Sequence, residues 1–233
     1  MKSLVKGLTS ALAHSDTERP VCAWLKRNPL IISHGLGGFP RYVVAEFPFG
    51  SEFRADFVRL CPSSGAWDID FVELEPPGSD LFTRQGVPAK RLNSAMAQVD
   101  TWRAFIETNR PSVLRDLSRF VQKKELVFRH RDHEPANDVG QTLYDPKSWV
   151  RWSYFIVIGR RKLLSDDELR KKAAFLDHHN IVVLTYDRLL DAAKNHDAIE
   201  RQKTERQCRA KGREPVKPAK THALRGAVLR KPG

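Results

Sequence analysis

Residues 70–78, DFVELEPPG, read as a β-strand stopped in mid-course. Phe71 and Val72 carry it into a core, and Pro76-Pro77-Gly78 end it, because proline lacks the N–H a sheet ladder needs. Between them stand Glu73 and Glu75. Residues two apart on a strand point to the same face. Two carboxylates side by side repel, and holding both ionised is costly unless positive charge lies between them. The pair is therefore either a solvated edge or a site built around a cation.

Working outward, RYVVAEFPFG (41–50) is a strand ending at a proline and a glycine. EFRADFVRL (52–60) alternates, with Phe53, Ala55 and Phe57 on one face and Arg54, Asp56 and Val58 on the other. CPSSG (61–65) is a turn, and AWDIDFVELE (66–75) is the third strand. Short runs joined by tight connections predict an antiparallel meander. It sets Asp56 beside Glu73, with Glu75 on the same face. Three carboxylates at a strand break suit a hard divalent cation, Mg²⁺ or Mn²⁺. Such an ion offsets their repulsion and lowers the pKa of a bound water. On spacing alone, the solvated edge stays open.

Around the meander the period changes to that of helices. Ser15 or Asp16 is placed to cap a helix through TERPVCAWLKR (17–27), with Pro29 beyond its end. Leu92, Ala95, Val99, Trp102 and Ile106 form one apolar helical stripe. A second helix, SVLRDLSRFVQKKEL (112–126), follows Pro111, and residues 126–150 read as an irregular connection. SYFIVIGRR (153–161) is a strand apolar on both faces. Ser165 and Glu168 form a capping box for the helix 165–179, and NIVVLTYDRLLDAAK (180–194) gives a last strand and a short helix. The fold class is α/β, a mixed sheet flanked by helices, without internal repeats.

The 233 residues carry a net charge of +12, with a pI near 9.8. From Asn195 onward there are eleven Lys and Arg against four Asp and Glu, so most of that excess lies in a C-terminal tail. The tail holds too little apolar sequence to fold alone and reads as disordered or marginally helical. Dispersed cations on such a tail read equally as a binder of a polyanion such as nucleic acid or as a solubilising appendage. Cys22, Cys61 and Cys208 form no CxxC pair, which argues against a zinc ribbon or a disulfide framework and for reduced thiols. No run is long and apolar enough to span a bilayer, so no membrane partner is expected. HRDHE (130–134) reads as a polar loop, HGLGGFP (34–40) as a turn without phosphate-loop spacing, and GRRK (159–162) either as solvated strand-end charge or as a phosphate contact.

The series RADF…DIDFVELEPP…LNSAMAQVDTWRAFI resembles the PD-(D/E)XK nuclease superfamily: an Asp on one strand, (D/E)-x-K on the next, then a helix carrying Gln. More narrowly, with LKRNPLII, FIVIGRR and IVVLTYDRLL in order, it looks like the nuclease domain of the Shedu anti-phage defence family, over about residues 16–194. The resemblance implies a restriction-endonuclease-like domain (1–194), followed by the basic tail (195–233). It also implies a Mg²⁺- or Mn²⁺-dependent DNA endonuclease in the bacterial cytoplasm, assembled as a homo-oligomer. Asp56 and Glu73 take the metal-ligand places, Gln98 the supporting place, and Trp102 the aromatic place after it. Glu18 is the candidate for an added first-helix carboxylate, with Glu46 a weaker rival. Glu75 stands where the superfamily has lysine. Some restriction endonucleases use E-x-E, so Glu75 is read as a ligand or a base, and Lys90 as a possible substitute cation. The alternative is a DNA-binding or assembly module that kept the fold and lost the chemistry.

Overall fold

The computed structural model describes residues 3–13, 16–38, 40–127 and 133–210. The early strands are β1 (Tyr42–Phe49), β2 (Phe53–Ser63) and β3 (Ala66–Leu74), paired antiparallel in sequence as the meander requires. β4 (Trp149–Val157) joins β3 in parallel, and β5 (Val182–Leu184) joins β4 in parallel. The result is a five-stranded mixed sheet in the order β1-β2-β3-β4-β5. β3 is its central strand, paired on both edges, so DFVEL lies in the middle of the sheet and only its far end escapes the ladder.

Three helices precede the sheet: α1 (Leu4–Leu12), α2 (Arg19–Arg27) and α3 (Pro29–Gly35). α1 has weak signals in sequence, yet it buries Leu8 and Leu12, four residues apart, and Ser3 caps it by accepting from the Lys6 amide. Asp16 lies ahead of α2 and Glu18 takes the cap position, while Ser15 lies outside the described residues. Pro29 lies beyond the end of α2, as expected. It opens α3, since the first turn of a helix tolerates a residue without an N–H.

α4 (Lys90–Lys124) joins the two helices expected either side of Pro111. The proline ring crowds the carbonyl four residues back, and the helix yields at Asn109, whose φ of −117° and ψ of 21° leave the helical range. α5 (Asp166–Ala173) starts with the expected capping box, and α6 (Phe175–His179) follows it. α7 (Tyr186–Ala210) continues past Asn195, where a disordered or marginally helical tail was expected. Residues 211–233 lie outside the described residues. Contacts group the chain into one unit up to Asp197 and another from Ala198.

Each face of the sheet carries its own core. α4 lays Leu92, Ala95, Val99, Trp102 and Ile106 over Phe49, Trp67 and Phe71 on one face. The other face is covered by Leu8, Leu25 and Ile32 from α1–α3 and by Tyr186 and Leu189 from the start of α7. An ion pair stands inside this second layer. Arg59, 1% exposed, meets Asp70 at 2.5 Å and donates to the carbonyls of Ser33 and Gly37, tying the end of α3 to β2 and β3. Removing one partner of a buried pair strands the other charge away from water. Asp70→Ala is expected to cost about 3–5 kcal/mol in urea unfolding; a loss below about 1 kcal/mol would show that the guanidinium needs no buried counter-charge.

Candidate functional site

The meander delivers Asp56 to Glu73 and then departs from regularity there. The β2–β3 ladder ends at Phe57↔Val72, and the next step of that register sets Asp56 opposite Glu73. Instead of continuing the ladder, the Leu74 amide donates to Asp56 Oδ2 at 2.8 Å. β1 is disturbed at the same level. Its pairing with β2 skips Glu46 opposite Asp56, and Glu46 has a φ of +53°, which a non-glycine residue in a strand adopts only under constraint. The alternation of faces shifts there as well. Val43 and Ala45 face the α1–α3 side, whereas Phe47 and Phe49 face α4. On β2 the same shift separates Ala55 from Phe57, so the expectation that those two share a face does not hold. The irregularity lies where Asp56 drops out of the β2–β3 ladder, a placement often met at functional sites.

Beyond the ladder the chain is fixed from three directions. The Glu75 amide donates to the Val157 carbonyl at 2.9 Å, and the Glu75 carbonyl accepts from the buried Tyr186 hydroxyl at 2.8 Å. Ser79 N and Gly159 N both donate to the Pro76 carbonyl. Gly159, with φ +62°, has no room for a side chain, since a Cβ there would lie 2.5 Å from Ser79 O. Pro76-Pro77 ends the strand, and these bonds hold the end still.

Within this frame the charges of Glu18 and Asp56 act on Glu73 and Glu75, and the charge of Glu75 acts on Glu73. Burial is the largest cause raising Glu73 from an ordinary 4.5 to about 9, aided by the charges of Asp56 and Glu75 and opposed by a hydrogen bond from Gln98. Burial also raises Asp56 to about 6, against the Leu74 amide that favours its charge; Glu18 and Glu46 add to the rise and Lys26 reduces it. Glu75 rises to about 7, again through burial first, with Arg91 opposing and Glu18 and Asp56 adding. Glu18, at the N-terminal cap of α2, makes no capping bond with its side chain. Its charge reaches all three strand carboxyls.

The candidate residues thus come together, with two exceptions in role. Glu46 is held by Lys26 at 2.8 Å on the rim. Lys90, at the start of α4, is exposed. The cation facing Glu75 is its neighbour Arg91, at 3.9 Å from Oε2. Neither Arg91 nor Tyr186 stands out in the sequence: one is a surface arginine in a basic chain, and the other sits 111 residues from Glu75. Trp102 is core, packed on Phe49 and Phe71. Arg160 and Arg161 of GRRK pair with Asp187 and Asp191 of α7. Of HRDHE, His130 lies outside the described residues and His133 is exposed.

The side chains do not converge on one point: among the described residues, no group of three or more His, Cys, Asp and Glu is placed to hold a metal ion. The donor set nevertheless fits a hard divalent cation chemically. All its members are carboxylates, and their mutual repulsion out of water is what bound positive charge would relieve.

The family model for the Shedu protein SduA, C-terminal, matches residues 15–190. The chain belongs to the Shedu family. That match spans every element from α2 through the first turn of α7, and with them all the clustered carboxylates of this Shedu chain. No curated protein matches the chain. Among the described residues, no helix is long and apolar enough to cross a membrane.

Carboxyls that keep their protons in the fold but lose them in the unfolded chain make stability fall as pH rises. For Glu73 that interval runs from 4.5, where the unfolded group ionises, to about 9. Glu73→Gln removes the largest contributor. It is expected to raise the metal-free melting temperature by several degrees at about pH 8 and to leave it nearly unchanged at about pH 4. Thermal scans in EDTA measure this, and a lower melting temperature for the variant at the higher pH would contradict it.

Proposed function

We propose that this Shedu-family chain is a metal-dependent DNA endonuclease with a restriction-endonuclease-like core, acting in anti-phage defence as a homo-oligomer. The observation that carries the reading is the gathering of Asp56, Glu73 and Glu75, with Glu18 and Gln98, at the broken end of a central strand, where burial and mutual charge raise all three strand carboxyls. The mixed sheet with its antiparallel meander agrees with such a core.

Asp56 and Glu73 would hold Mg²⁺ or Mn²⁺, with Glu75 as a third ligand or as the base. When bound, the ion supplies positive charge at the phosphate and lowers the pKa of a coordinated water. The Gln98 amide orients Glu73. Glu75, raised to about 7, is matched to proton transfer near neutral pH. As base it takes the proton of the attacking water while the new P–O bond forms. The opposite P–O ester bond breaks, and its oxygen leaves with a proton from solvent. Tyr186 and the Val157 carbonyl hold the Glu75 backbone in place for this. The net charge of +12 favours DNA as the polymer attacked.

A second reading has support in Glu75 replacing the superfamily's lysine: a DNA-binding or assembly module without chemistry. Cleavage of linear and supercoiled DNA with Mg²⁺ or Mn²⁺ separates the two. The nuclease reading expects cleavage that falls at least about 100-fold in Asp56→Ala and Glu73→Ala. DNA binding that persists in EDTA, with no cleavage by the wild type, would favour the module.

A further inference from the structure

α4 runs along β3 in the opposite sense, and three pairs fix the alignment. Arg91 meets Glu75, Gln98 meets Glu73, and Trp102 meets Phe71 with ring centroids 6.1 Å apart. The strand residues are two apart and share a face. The helix residues are spaced by seven and four, which keeps them on one side of a helix. The contact order 75-73-71 against 91-98-102 is therefore what strand and helix periods produce together. Arg91 holds a registered position in this alignment, anchored two turns away by the helix that supplies Gln98.

Where the sequence motif has lost its strand lysine, Arg91 brings a cation to the same carboxylate from across the helix–strand interface. Its side chain is 62% exposed, against 11% for Glu75, so the guanidinium is open to solvent while the carboxylate it faces is largely covered. At 3.9 Å the two attract without a close hydrogen bond. Such a contact is readily given up for a better acceptor. Arginine keeps its proton at any working pH and offers a planar fork matched to phosphate oxygens. It is unsuited to act as a base and well suited to hold an anion. Lys26, whose charge reaches Asp56, is engaged by Glu46 at 2.8 Å.

We infer that Arg91 is the phosphate-binding cation of this site, leaving Glu75 to take the DNA phosphate next to the bond that is cut. It replaces the charge of the missing lysine but not any proton-transfer role, which falls to Glu75. The inference rests on the reading of the cluster as a phosphodiesterase centre, but its first readout is binding and needs no catalysis.

The probe is a short fluorescein-labelled DNA duplex, titrated in EDTA over a range of salt with full-length wild type, Arg91→Ala, Arg91→Lys and Lys123→Ala, the last altering an exposed charge at the far end of α4. Arg91→Ala is expected to weaken binding about tenfold and to lower the salt slope by about one. Arg91→Lys should recover most of the affinity and the slope, and Lys123→Ala should match the wild type. With Mg²⁺, Arg91→Ala should lower kcat about 100-fold, and Arg91→Lys should fall between. Arg91→Ala binding within twofold of wild type with an unchanged slope overturns the inference, as does an equal loss in Lys123→Ala. Absence of DNA binding by the wild type overturns it too. Arg91-dependent binding without any cleavage by the wild type supports the phosphate contact while removing the nuclease reading.

Discussion

The carboxyl groups of Asp56, Glu73 and Glu75 are withdrawn from water within reach of one another, and the surrounding architecture is arranged to keep them there. Carboxylates left free would turn outward and ionise separately. Here the Leu74 amide holds Asp56, Gln98 holds Glu73, and the Glu75 backbone is bonded on one side to β4 and on the other to Tyr186. Each restraint comes from a different element. The cluster is therefore a property of the whole sheet and of both helical layers, and no single loop could hold it.

The irregularities follow from the same constraint. A regular β1–β2–β3 ladder would pair Glu46, Asp56 and Glu73 side by side across three strands. The chain breaks that row: Glu46 adopts a left-handed conformation, the β2–β3 ladder stops one step early, and the alternation of faces shifts on both β1 and β2. Strain of this kind is disfavoured unless the surroundings enforce it. Phe47, Phe49 and Phe71 interlock with Trp102 on the α4 face and supply that enforcement.

Much of this was legible in the sequence because it is carried by short-range periods. The alternation in strands, the 3-4 spacing of Leu92 to Ile106 and the turn residues of CPSSG led to the meander, the α4 stripe and the meeting of Asp56 with Glu73. Contacts across long separations were not legible. Tyr186 reaches Glu75 only because β4 and β5 add in parallel, and Arg91 is told from Lys90 only by the rotation of α4 against β3. α1 has an apolar pair too brief to mark a helix, and its burial depends on the layer beneath it. The break expected at Pro111 is present: two helices meet across a kink at Asn109, whose backbone is not helical. The extension of α7 beyond Asn195 continues a helix already started by Tyr186, Leu189 and Ala193 in the core.

On the proposed reading, a divalent cation balances the crowded carboxyls when the protein works. Titration of Mn²⁺ by calorimetry, in two buffers that differ in ionisation enthalpy, tests it most directly. With Glu73 raised to about 9, its proton is expected to be held at about pH 7.5 in the metal-free fold, and a cation that takes this carboxylate as a ligand would expel it. Saturable binding is expected, with a heat that depends on the buffer and so shows proton release, and with both lost in Glu73→Gln. No binding by the wild type, or binding that releases no protons and survives Glu73→Gln, would contradict that reading.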